Sequence, residues 1–248
     1  MRQSLKIYPA FVVWYSIGLL LMLFWYVPSW LAFSNSIFLI LYAVCALELF
    51  IYASDKGTKN LIILKGAVSI AINTFLIEVI GVATGFPFGA YQYQPTLGFL
   101  VFGVPFTITV AWLGVIVNSI MISNQKTKVW RAMEVGAWVV LLDLILDPVA
   151  ERMHFWDWYG NGLYYDIPLT NFISWFVIGA VVSLFMPLFR ISQKVRQLAT
   201  RLYQLMLLMF GLLGLKEGLL MVFVLSVCFI FICEGRYRYD NSAKEQTV

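Results

Sequence analysis

Apolar runs long enough to cross a bilayer recur along this chain, and carboxylates sit inside them. Hydrocarbon about 30 Å thick needs roughly 20 apolar residues per helical crossing. Such runs cover residues 7–27, 31–53, 61–82, 98–123, 130–149 and 171–189. The stretch 202–233 is divided at Gly214-Leu-Lys-Glu-Gly218 into two pieces, each short for a crossing. It reads either as one span plus an interfacial helix or as a hairpin of two short helices. The expected fold is an all-α polytopic helical bundle of seven or eight transmembrane helices, a single integral-membrane domain over 1–248. At 61% hydrophobic and 12% charged residues, a soluble domain of this length could not cover itself with polar surface.

The net charge of +4 is no nucleic-acid signal, because the basic residues fall in alternate loops. Arg2 and Lys6 precede the first span; Lys56 and Lys59 follow the second. Lys126, Lys128 and Arg131 follow the fourth, and Arg190, Lys194, Arg196 and Arg201 follow the sixth. The intervening loops are neutral or acidic. The positive-inside rule puts the N-terminus in the cytoplasm. Arg236 and Arg238 fit a C-terminus on the same side, hence eight crossings. The N-terminal segment has no cleavage region after it and reads as an uncleaved first span of a multi-pass cell-membrane protein. Cys45, Cys228 and Cys233 lack metal-ligand spacing and read as small buried hydrophobes.

Glu78, Asp143 and Asp147 are the informative residues. A carboxylate in hydrocarbon costs several kcal/mol unless it is protonated, paired or wet. The third and fifth spans run in the same direction, and all three acids fall in the last third of them. The acids are expected at one depth, in the outer half of the membrane. Asp143 and Asp147 are four apart and share a helix face. Two like charges there cannot easily both ionise, so the pair is expected to hold a proton and to offer a general acid. The bland alternative is that Asp147-Pro148 ends the helix with its carboxylate at the interface. Glu78 shares its face with Gly81, Val82 and Gly85, which permits close approach of a neighbour or a flat ligand. Glu48 lies near the opposite end of its span, as an interface anchor or a structural hydrogen bonder.

Around the acids the sequence repeats itself. Tyr91-x-Tyr93 precedes Pro105-x-Thr107-x4-Trp112; Trp156-x-Trp158 precedes Pro168-x-Thr170-x4-Trp175. A helix–loop–helix unit used twice, over 61–123 and 130–189, accounts for this. Trp112 and Trp175 are candidates to line a pocket, and Asn171 and Asn73 to orient an acid or a water. Trp156, Trp158, Tyr159, Tyr164 and Tyr165 read as an aromatic belt at headgroup level. His154 reads as a loop residue. Lys216 lies beside an acid and between glycines, which suits a helix end rather than a Schiff base. No phosphate-binding loop, dinucleotide fingerprint or histidine metal pair is present, and neither metal nor cofactor is expected.

Glu78-x-x-Gly81-x-x-Thr84-Gly85-x-Pro87-Phe88-Gly89-x-Tyr91-x-Tyr93, Gly103-Val104-Pro105 and Ala111-Trp112 resemble the carotenoid-biosynthesis membrane protein family, which includes acyclic-carotenoid hydratases. So do Leu142-Asp143-x-x-Leu146-Asp147-Pro148-Val149-Ala150, Trp156-x-Trp158 and Ile167-Pro168-Leu169-x-Asn171-Phe172-x-x-Trp175. Integral-membrane lycopene cyclases are similar more distantly, but their Pro-x-Glu-Glu is replaced here by Pro168-Leu169-Thr170-Asn171.

The resemblance implies water addition to a terminal isoprene double bond, which needs an acid, a cation-tolerant pocket and a placed water. Glu78, Asp143 and Asp147 are the expected catalytic groups; Tyr91, Trp112, Asn171 and Trp175 are the expected substrate contacts. The partners implied are a carotenoid in the bilayer, water and other enzymes of the pathway. Other end-group chemistry on an isoprenoid, and a small proton-coupled carrier, are the alternatives.

Overall fold

A computed structural model describes residues 5–25, 27–54, 59–188 and 190–245. Arg2, Lys56 and Phe189, used above to place loops and a span end, lie outside the described residues. Among the described residues eight α-helices follow one another: α1 (Ile7–Phe24), α2 (Phe33–Ala53), α3 (Lys59–Thr84), α4 (Phe106–Ile122), α5 (Lys128–Arg152), α6 (Leu169–Ser183), α7 (Gln193–Lys216) and α8 (Leu220–Glu245). Five of them, α1, α2, α3, α7 and α8, are long and apolar enough to cross a membrane. The protein is an all-α polytopic membrane protein.

Helix α4 is the axis of the bundle. Every residue from Trp112 to Ile122 is buried, so the helix is covered all round, and apart from Asn118 and Ser119 that stretch is apolar, as suits a central helix. Gly114 lets it approach α2: a Cβ there would lie 2.9 Å from the Ala43 Cα. The main helix pairs beside it are α5 with α6 and α7 with α8.

Several boundaries differ from the sequence reading, three of them for a clear local reason. The run 98–123 does not start helical. Leu100–Val101 (β2) and Val104–Pro105 (β3) form a small hairpin, and Pro105, extended at φ −63° and ψ 131°, caps α4. The run 171–189 begins earlier, at Leu169, behind Pro168 in the same conformation. The stretch 202–233 is a hairpin of two helices, as in the second alternative, but the helices are not short. It belongs to two full-length helices, α7 starting at Gln193 and α8 continuing to Glu245. Their polar ends are paired, Arg196 with Asp240 at 3.5 Å and Arg201 with Glu234 at 3.2 Å, and Arg236 of α8 reaches Glu134 of α5 at 3.2 Å. Gly218, at φ +79°, makes the turn between them.

Helix α5 does not stop at Asp147-Pro148 but runs on to Arg152. A proline inside a helix removes one N–H and orphans the carbonyl four residues back, here that of Leu144. The Tyr164 hydroxyl donates to that oxygen at 2.9 Å. Tyr164 is thus a repair to the helix rather than a belt anchor.

Helix α1 is fastened at its two ends. Glu48 accepts from the backbone N–H groups of Lys6, Ile7 and Tyr8 at 2.7–3.1 Å, which makes it a structural hydrogen bonder. At the other end the Lys216 ammonium donates to the Met22 and Trp25 carbonyls at 2.5 and 3.3 Å. A carboxylate on the first turn and a cation on the last both complement the helix dipole.

Candidate active site

The loops after α3 and α5 each contain a short strand, and the two strands pair. Tyr91–Tyr93 (β1) runs antiparallel to Trp156–Trp158 (β4), with Tyr91 opposite Trp158 and Tyr93 opposite Trp156. Alternate side chains of a strand share a face, so four aromatic rings project together from the ladder. Tyr91 packs on Trp158 at 5.0 Å between ring centroids and Tyr93 on Trp156 at 5.7 Å. The middle pair, Gln92 and Asp157, points away from them.

Each pair of rings serves the carboxylate of its own preceding helix. The Tyr91 and Tyr93 hydroxyls donate to Glu78 Oε2 at 2.5 and 2.9 Å. The Trp112 indole N–H donates to Glu78 Oε1 at 2.7 Å. On the other side the Trp156 and Trp158 indoles donate to Asp147 Oδ1 at 2.7 and 3.4 Å. Asn171 Nδ2 donates to Asp147 Oδ2 at 2.6 Å and to Asp143 Oδ2 at 2.9 Å. All three acids are buried, at 3%, 0% and 2% exposure for Glu78, Asp143 and Asp147. Hydrogen bonds to charged groups contribute about 1.5–3 kcal/mol each, which is how carboxyl groups are tolerated here.

The sequence motif around the two prolines builds the floor of the site. Thr107 Oγ1 donates to the Leu97 carbonyl at 2.5 Å, and Thr170 Oγ1 to the Phe88 carbonyl at 2.9 Å. These contacts dock each helix start on the loop preceding it or on its counterpart. Trp112 and Trp175 then stack at 4.0 Å between centroids and 26° between planes. Gly81 is needed for close approach. A Cβ there would lie 2.7 Å from the Phe88 ring and 2.8 Å from the Tyr91 hydroxyl, so any side chain would push Tyr91 off Glu78. Its neighbour is thus a loop aromatic, not another helix.

Glu78, Tyr91, Trp112, Asp147, Asn171 and Trp175 all line one cavity of about 620 Å³. That size lies within the roughly 300–1,000 Å³ of small-molecule sites. Asp143 is not among its lining residues. It sits one turn before Asp147 on α5 and is joined to the cavity wall through Asn171, and its Oδ1 has no hydrogen-bond partner.

Asn73 has no part in the site; it is exposed and its amide donates to the Ser69 carbonyl of its own helix at 2.8 Å. His154 lies outside on the surface, 3.2 Å from Asp157. Trp156 and Trp158 belong to the site rather than to an interfacial belt. Tyr93, Trp156 and Trp158 are functional candidates that the sequence reading does not single out. The signal that finds them is the period-2 spacing of Tyr91-x-Tyr93 and Trp156-x-Trp158.

Over 124 residues the chain is 32% identical to bisanhydrobacterioruberin hydratase of Haloarcula japonica, a match that takes in 47% of this chain and 42% of that protein. The chain thus matches less than half the length of that relative. No solved structure matches. The sequence model of the carotenoid biosynthesis protein family matches residues 34–233, which contain the three acids, both strands and the stacked tryptophans, and the chain belongs to that family.

Proposed function

We propose that this protein hydrates the terminal double bond of an acyclic carotenoid. The observation that carries the reading is the pair of hydrogen-bonded carboxyl groups, Glu78 and Asp147, on the wall of one mainly apolar, aromatic cavity. Asp147 is the general acid. It shares the Asn171 amide with Asp143, and two adjacent carboxyl groups served by one donor hold a proton between them. That proton goes to the CH carbon of the terminal CH=C(CH3)2 group. The π pair becomes the new C–H bond, and the positive charge falls on the dimethyl-substituted carbon.

A tertiary cation in this cavity faces ring quadrupoles rather than bulk water. The Trp112–Trp175 stack and the Tyr91 ring supply them, and a desolvated cation over an aromatic face gains about 2 kcal/mol or more. Water then attacks the cation through oxygen, and Glu78 takes the proton that water loses. The product is a tertiary alcohol, one water heavier per reacted end. A proton passing from Glu78 back to Asp147, directly or through the medium, resets the site.

In this reading the units 61–123 and 130–189 are two copies of one helix–loop–helix element, each supplying a carboxylate and a pair of rings. The antiparallel register of β1 and β4, centred on Gln92 and Asp157, supports that. The cell membrane is the setting, with the site in its outer half and other enzymes of carotenoid synthesis nearby. The substrate lies in the bilayer and brings its end to a depth where water can be admitted.

The test is expression of the whole chain in a host that accumulates an acyclic carotenoid, with product masses read by mass spectrometry. A gain of one water per reacted end is the expected result. An isomer of unchanged mass means cyclisation instead, and overturns the reading.

A further inference from the structure

The cavity does not end at the carboxyl groups. It continues along a wall made by α1 and the corner that follows, where Trp14, Ile17, Gly18, Leu21, Trp25 and Phe33 line it. Four of these are also open to the outside, with Ile17 at 56%, Leu21 at 42%, Trp25 at 63% and Phe33 at 55% exposure. A residue can line a cavity and stay half exposed only at its mouth. The mouth lies between the second half of α1 and the α1–α2 corner and is apolar apart from Ser34 and Asn35, so along α1 it opens on hydrocarbon.

Gly18 lies midway along this wall. A Cβ built on it meets nothing within 4 Å, although glycine costs helix stability in the middle of α1. The space beside Gly18 is thus not used by the protein's own packing. The ends of α1 are held by Glu48 and Lys216, so the wall is fixed in place while its middle stays unfilled. All six of these wall residues precede residue 34, where the match to the family model begins.

From this juxtaposition we infer a second binding subsite: the α1 wall around Gly18 seats the unreacted, extended part of an acyclic isoprenoid chain while its end group lies between Glu78 and Asp147. The occupant follows from continuity. The subsite is the apolar extension of the cavity that holds the acids, it has no charged lining residue of its own on α1, and it opens toward lipid. A linear, uncharged, hydrocarbon-soluble chain fits those conditions. The inference rests on the hydration reading only in taking an isoprenoid as the ligand. Gly18 is then the residue that decides how bulky a chain can pass.

Binding can be read without turnover, because a polyene quenches the tryptophans that line the cavity. The full-length protein in lipid nanodiscs is titrated with lycopene, and separately with geraniol as a short isoprenoid carrying the same end group and displacing lycopene. The variants are Gly18→Phe and Leu20→Phe; Leu20 is on the lipid face of the same helix, 53% exposed. Gly18→Phe is expected to weaken lycopene binding by about tenfold or more, the scale set by unwanted bulk in an apolar pocket, while geraniol binding is unchanged. Leu20→Phe is expected to alter neither. Equal lycopene binding by wild type and Gly18→Phe overturns the subsite, as does an equal loss for both ligands, or no saturable lycopene quenching in the wild type. If lycopene binding shows the expected pattern but no alcohol forms, the subsite stands and the hydration reading falls.

Discussion

Asp147→Asn is expected to lower hydration of an acyclic carotenoid by about 10²–10⁴-fold, the usual contribution of a positioned general acid. Glu78→Gln is expected to do the same from the other side of the cavity, by removing the group that accepts the water proton. Both substitutions keep volume and one of the two acceptor oxygens. The Trp156, Trp158 and Asn171 contacts on Asp147 and the Tyr91, Tyr93 and Trp112 contacts on Glu78 can be made in part by an amide oxygen. The variants should therefore accumulate in the membrane and elute as folded protein. Product formation in cells and in isolated membranes is the measurement. Full turnover by either variant removes that residue from the chemistry. Asp143→Asn is expected to be milder, because Asp143 does not line the cavity and is joined to its wall through Asn171.

The second large effect is on stability. Asn171→Leu removes the one amide that serves both Asp143 and Asp147. A buried polar group whose partner is deleted costs far more than the pair contributed, and uncompensated buried carboxyl groups place the loss at about 3–5 kcal/mol. In a chain of this size that lowers the thermal midpoint by on the order of 10 °C. Asp143, fully buried and already lacking a partner on Oδ1, would carry most of the penalty. The double substitution Asp143→Leu/Asn171→Leu should accordingly recover much of the stability while staying inactive. Thermal unfolding in detergent tests this. A midpoint for Asn171→Leu equal to wild type would mean that the acids find other partners, and the shared-amide account of Asp147 would fail.

Much of the site was legible because charge in hydrocarbon is costly and therefore conspicuous. Glu78, Asp143 and Asp147 stand out in apolar runs, and the matched Pro-x-Thr-x4-Trp spacing led to Trp112 and Trp175, which meet face to face. The aromatic loop residues were ambiguous for a physical reason. A tryptophan near a helix end is equally suited to the headgroup region and to a carboxylate inside, and only the pairing of β1 with β4, a contact 65 residues apart in sequence, separates the two. The seventh helix was hidden by its own charges. Arg196 and Arg201 look like loop residues until Asp240 and Glu234, on the helix that follows, are there to pair with them. The α1 wall was not legible at all. Its residues are apolar on every side, and nothing local distinguishes the face toward the cavity from the face toward lipid.

The central claim is that a carboxyl proton enters the alkene and a solvent water follows it, within one cavity. The most direct test is to run the wild-type reaction in deuterium oxide enriched in heavy oxygen and locate the labels in the product. One carbon-bound deuterium beside the new carbinol carbon, and one solvent oxygen in the hydroxyl, is the expected result for each reacted end. A hydroxyl oxygen drawn from dioxygen, or an alcohol with no new carbon–deuterium bond, would contradict it.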